Sequence, residues 1–288
     1  MKRLTILLAT MWMGIYMYAQ QVEYTKEDSA QVVKLLHEAL TKRGNENRVF
    51  YFGKQFLGLP YVAHTLELGD TEHLIVNLRE LDCTTFVETV VALSLCDKQD
   101  KRSFEDFCNN LTTIRFREGI MTDYTSRLHY FTWWAEDNEQ LGIVEDIAPQ
   151  DAPWGAFTDV QTININYMSA HPTSYKQLKN HPEFIPAIRQ YEQATNGRTF
   201  RYVPKRNMNW KQPSSLGVIH NGDIVAMLTD KDGLDTRHIG IAFWQNERLH
   251  LLHASSLNKK VLMSKETFYE YEMKQPKHTG IRVFRFKD

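Results

Sequence analysis

Three residues are spaced as the hydrolysis of an amide by a thiol requires. Cys83 stands in Leu81-Asp82-Cys83-Thr84-Thr85-Phe86-Val87-Glu88, where an apolar run begins. Far downstream come His238, in Arg237-His238-Ile239-Gly240-Ile241, and His253, in Leu251-Leu252-His253-Ala254-Ser255-Ser256. A thiol attacks best as its thiolate, which the positive end of a helix and a neighbouring imidazolium both stabilise. The thiolate adds to the carbonyl, the imidazolium protonates the departing amine, and water then releases the acyl-enzyme. His238 is read as that imidazole and His253 as the third polar group that orients its ring. Amide hydrogens of the first helical turn, near Cys83, are the oxyanion donors.

The elements around these residues must place them together. A helix is expected from residue 82 or 83 to about 95, with Asp82 capping the free amides of its first turn and Cys83, Phe86, Val87, Val90 and Ser94 on one face. Residues 238–244 and 249–254 alternate as strands do. In the first, His238, Gly240 and Ala242 share one face and Ile239, Ile241 and Phe243 the other. The smaller set predicts the face on which the helix of Cys83 docks. In the second, Leu249, Leu251 and His253 share a face while His250 points away, so His253 is the expected partner of His238.

Elsewhere, helical spacing covers residues 28–40, 103–111 and 126–140, with a proline-broken stretch over 174–193. Residues 147–172, which contain Trp154, show no period and read equally as a binding loop or a surface excursion. Further strands are expected at 200–203, 223–228, 260–263 and 281–286, with turns such as Asn221-Gly222 between them. Helices first and an antiparallel sheet afterwards make an α+β chain.

Lys2 and Arg3 precede an apolar run that ends at Ala19, in the order of a secretory signal, and the run is short of the ~20 residues of a membrane span. Residues 1–19 are therefore expected to be removed on export to the periplasm, cell envelope or medium. Without Lys2 and Arg3, the 34 basic residues fall to 32 against 35 acidic ones. That balance offers nothing to nucleic acid or an anionic membrane. Residues 20–288 suit one catalytic domain, helical over about 20–195 and strand-rich over about 196–288. With three cysteines in an exported chain, at least one thiol is unpaired, whether or not Cys96 and Cys108 bridge.

These segments resemble NlpC-type, papain-like cysteine hydrolases of bacterial cell walls. The resemblance lies in Asp82-Cys83, in His238 and Gly240 of His-Ile-Gly-Ile, in His253 and Ser255 of the next strand, and in Gly58-Leu59-Pro60-Tyr61 upstream. The wording of residues 79–88 and 124–130 is similar to the N-acetylmuramoyl-L-alanine amidase-like branch. That resemblance implies a papain-like fold, an N-terminal helical part carrying the nucleophile on a C-terminal antiparallel β-sheet or barrel, with a large helical insert. It implies Tyr61 beside the thiol, Thr84 and Ser255 at the site, and a muropeptide substrate cut between N-acetylmuramic acid and L-alanine. Cleavage between D-glutamate and a diamino acid is the alternative bond. Arg127, His129 and Trp154 are candidates for holding a peptide carboxylate or a sugar ring. Zinc on Cys83, Asp235, His238 and His253 is disfavoured because close ligand pairs are lacking. No cofactor and no stable protein partner are expected, and a non-catalytic wall-binding module would leave Cys83 without a use.

Overall fold

The computed structural model describes residues 22–149, 155–209 and 217–288; the expected leader at 1–19 and Trp154 lie outside these described residues. In chain order the helices are α1 (Lys26–Lys42), α2 (Arg48–Lys54), α3 (Cys83–Lys98), α4 (Phe104–Arg115), α5 (Phe131–Gln140), α6 (Tyr167–Ala170), α7 (Lys176–Asn180), α8 (Ile185–Thr195) and α9 (Phe268–Met273). The strands are β1 (Val22–Glu23), β2 (Leu74–Ile75), β3 (Val144–Asp146), β4 (Asp159–Thr162), β5 (Thr199–Pro204), β6 (Ile224–Thr229), β7 (Thr236–Gln245), β8 (Arg248–Ser255), β9 (Lys260–Met263) and β10 (His278–Phe286). No described helix is long and apolar enough to cross a membrane.

Among the described residues, four helices start the same way. Thr25, Asp82, Ser103 and Thr267 cap α1, α3, α4 and α9, each exchanging hydrogen bonds with the residue three places on. Such an exchange satisfies two of the polar groups that a helix start leaves unpaired. At α3 the Asp82 carboxylate accepts the Thr85 amide at 2.8 Å, and the Thr85 hydroxyl accepts the Asp82 amide at 2.9 Å. Cys83 is thereby held as the first helical residue. From Thr85 to Asp97 every residue of α3 is buried, the signature of a helix with neighbours on all sides.

The main sheet runs β4-β5-β10-β6-β7-β8-β9, with β3 also paired to β10, and every pairing in it is antiparallel. Its outer strands do not meet, so the sheet stays open and the barrel alternative does not form. The expected division at about residue 195 is crossed in both directions. β3 and β4 come from the first part and join the sheet, whereas α9 comes from the second.

Helix docking departs from expectation. Ile239, Ile241 and Phe243 of β7, with Leu252 and Ala254 of β8, share a core with Phe86, Val87 and Val90 of α3. The larger residues therefore receive the helices. A Cβ placed on Gly53 of α2 would come within 2.9 Å of Leu252 and 3.0 Å of Ile241, which shows how closely that layer is pressed. The opposite face, with Met227, Ala242 and Leu251, packs on Phe268 and Tyr271 of α9. Gly240 makes room inside the sheet instead: a Cβ there would lie 2.8 Å from Leu251 Cδ1 and 3.0 Å from His253 Cβ.

One irregularity in β7 bears on the site. Met227 of β6 faces His238 and Leu228 faces Thr236, so Arg237 is an extra residue with no partner across the ladder. Such a bulge bends the strand and re-aims its side chains.

Removing the α3 cap should loosen the helix that carries Cys83. Asp82→Ala is expected to cost about 1 kcal/mol, seen as a fall of about 2–4 °C in a thermal melt.

Candidate active site

Cys83 and His238 line one cavity of about 440 Å³ between the helical layer and the start of β7. The amides of Ile239 and Cys83 and the hydroxyl of Thr84 stand at the sulfur. His238 Nε2 lies 2.6 Å from His253 Nδ1, with the two rings inclined at 75°. One of these nitrogens donates and the other accepts. With its Nε2 so engaged, His238 has Nδ1 free to exchange a proton. His253 is only 1 % exposed and lies behind His238 rather than on the cavity wall. The Tyr271 ring packs edge-on against His253 at 5.3 Å and limits its rotation.

The electrostatics differ from the expected thiolate–imidazolium pair. Burial pushes the Cys83 thiol up, and the Asp82 carboxylate adds to the effect. Burial holds His238 well below the usual imidazole range, helped by its neighbours His253 and His278. His278 is itself within 2.9 Å of Glu272 Oε1. Burial brings His253 down to about 4. A charge on either of these groups loses more solvation on burial than its neighbours return. Both shifts favour the neutral thiol and the neutral imidazole in the free site, and no hydrogen bond joins the two side chains.

The other expected site residues divide by placement. Thr84 and His129 line the cavity. His129 Nε2 donates to the Tyr124 carbonyl at 2.7 Å, and burial plus the nearby Arg127 charge brings its ring down to about 3, so it is neutral. Tyr61 does not line the cavity, yet its phenol, raised to about 12, is influenced by Cys83 and Asp82 after burial itself. Its backbone is tied to Leu81 and Lys259, which sets it beside the start of α3. Ser255 is turned to another use: its Oγ accepts the Asn258 amide and side-chain amide, both at 3.1 Å, and closes the β8–β9 turn. Arg127 is likewise taken. Its guanidinium grips Glu72 at 2.8 and 2.9 Å and Glu67 at 3.2 Å, away from the cavity wall, because a buried charge needs partners.

The cavity also presents residues that sequence reading passed over as substrate contacts. Glu88 and Asp235 lie on its wall with Tyr130, Trp134, Tyr175 and Arg237. Glu88 is visible in the sequence as the acid inside an apolar helix; Asp235 and Arg237 flank Thr236, where β7 begins, and Asp235 entered the sequence reading only as a disfavoured zinc ligand. Cys83, Cys96 and Cys108 are all free thiols. Among the described residues no group of three or more His, Cys, Asp or Glu side chains is arranged to hold a metal ion.

A family model described as AmiA-like, N-acetylmuramoyl-L-alanine amidase-like, matches residues 51–281. The fold is similar to that of an N-acetylmuramoyl-L-alanine amidase from Bacteroides uniformis, with 40 % identity and a TM-score of 0.77 over 84 % of this chain and 98 % of that one. It is also similar to a protein from Bacteroides fragilis named as a candidate xylanase, with 42 % identity and a TM-score of 0.75 over 82 % and 100 % of the two chains. A Legionella pneumophila protein at 22 % identity shares the fold, with a TM-score of 0.67 over 91 % and 95 %. No curated protein matches the chain.

A neutral resting thiol has a chemical signature. The rate of Cys83 alkylation by iodoacetamide, followed by peptide mass spectrometry, should climb with pH beyond the free-cysteine range near 8.5. A plateau already reached at pH 6–7 would instead reveal a preformed ion pair.

Proposed function

Because this chain belongs to the AmiA-like family of N-acetylmuramoyl-L-alanine amidase-like proteins, we propose that it hydrolyses the amide between N-acetylmuramic acid and L-alanine in peptidoglycan fragments, with Cys83 as nucleophile. The observation that carries this reading is a thiol at a helix start sharing a cavity with an imidazole backed at 2.6 Å by a second one. We read the arrangement as the NlpC-type, papain-like one, with residues 1–19 as an export signal and the cell envelope as the place of action.

The neutral pair sets the order of proton movements. As the sulfur adds to the lactyl carbonyl, its proton passes to His238 Nδ1, and His253 Nδ1 accepts from the imidazolium's Nε2–H. The oxyanion is met by the Cys83 amide and the Tyr61 hydroxyl. His238 then gives its proton to the L-alanine nitrogen, which leaves with the peptide. Water, deprotonated by His238, cleaves the thioester and frees the muramic acid carboxyl group and the thiol.

Glycosidic cleavage fits these residues less well. It needs two available carboxyl groups, one to protonate and one to attack or activate water. Glu88 is bound by Arg115 Nε at 2.7 Å, and Asp235 accepts the amides of Thr132 and Thr236, each at 2.7 Å.

The test is mass spectrometry of a disaccharide-tetrapeptide after incubation with the protein. Free disaccharide and a peptide beginning at L-alanine are expected; a disaccharide still carrying L-alanine and D-glutamate would move the reading to an endopeptidase. Cys83→Ala should abolish turnover, His238→Ala should lower it about 10²- to 10⁴-fold, and His253→Ala should lower it less. Because His238 must be neutral to accept the thiol proton and is held low, the acid limb of kcat/KM should fall below about pH 6.5. An acid limb above that value would contradict the neutral-pair mechanism.

A further inference from the structure

Arg237 differs from the other cations on and behind the cavity wall. Arg127 is enclosed by Glu67 and Glu72, and Lys176 Nζ donates to the carbonyls of Gly69 at 3.0 Å and Glu67 at 3.5 Å. Arg237 lines the cavity, is exposed, and has no carboxylate partner among the described residues. Each acid on the same wall is already engaged: Glu67 with Arg127, Glu88 with Arg115, and Asp235 with two backbone amides.

The backbone explains how it comes to be there. In a regular strand, neighbours point to opposite faces, and a residue next to His238 would turn away from the chemistry. The bulge at Arg237 breaks that alternation, so Arg237 and His238 open onto the same cavity. A guanidinium held one residue from the group that protonates the leaving amine, and given no anion by the protein, is built for an anion on the substrate.

We infer that Arg237 receives a carboxylate carried by the first two residues of the departing peptide and thereby selects acidic over amidated peptides. This rests on the amidase reading, in which the leaving group is a peptide and His238 protonates its first nitrogen. The planar guanidinium can take both oxygens of a carboxylate at once, which neither a lysine nor a neutral amide can reproduce. It takes over the role first expected of Arg127.

The test uses N-acetylmuramoyl-L-alanyl-D-glutamate with free carboxylates and its counterpart with both carboxylates converted to amides. Wild type should prefer the acid by about tenfold or more in kcat/KM. Arg237→Gln should lose that factor on the acid, mainly through KM, and change little on the diamide, while Arg237→Lys should recover part of it. Equal losses on both substrates, or none on either, would overturn the inference. Calorimetric binding of the same two compounds to Cys83→Ala and to Cys83→Ala/Arg237→Gln separates this from the reaction itself. If wild type cleaves neither compound, the amidase reading fails, yet weaker binding of the acid alone in the double variant still supports Arg237. Unchanged binding of the acid would overturn its role.

Discussion

Burial of α3 on every side is the constraint on which the rest of the molecule depends. Its residues from Thr85 to Asp97 face α1, α2 and α4 as well as the β7–β8 face of the sheet, so the helix cannot shift without opening the core. Asp82 fixes where it starts, and the first helical residue is the cysteine. Rigid placement of Cys83 therefore follows from apolar packing together with the Asp82 cap. Two buried charges interrupt this stretch: Glu88, paired with buried Arg115 at 2.7 Å where α3 meets the cavity, and Asp97 at its end, held by Arg43, Arg48 and Arg102.

Much of this was legible in the residues themselves. Asp82 as cap, Cys83 in the first turn, the strand over 260–263 and the preference for His253 over His250 follow from local chemistry and from alternation along a strand. What was not legible depends on partners distant in the chain. The docking face of β7 was inverted because Gly240 makes space for its neighbours in β8, a fact about pairing that one strand cannot reveal. Arg127 looked free in sequence, but its acids are Glu67 and Glu72, more than fifty residues away. The Arg237 bulge exists only relative to β6. α2, with Val49, Phe50, Tyr51 and Phe52 in a row, has no polar side to give it a helical period, and three- and four-residue strands such as β3 and β4 are too short to show alternation.

The same burial that orders the site also governs its charge. Burial of Cys83 and His238 disfavours the charged form of each and so favours a neutral pair over a standing ion pair. His253 is enclosed still further, between His238 and the Tyr271 ring. β7 and β8 thus bring three polar side chains to this end of the sheet: His238 and Arg237 on the cavity wall and His253 behind them.

The position of β10 in the sheet has a consequence for how the protein comes into being. β10 lies between β6 on one side and β5 and β3 on the other, although its residues follow all of theirs in the chain. Until β10 is in place, β5 and β6 each lack the strand that joins them, and the strands bearing His238 and His253 hang from an incomplete edge. The sheet closes its central gap only when residues 278–286 have emerged. Completion of the sheet around the site therefore waits on β10, and a chain cut short before residue 278 would lack the strand that joins β6 to β5 and β3.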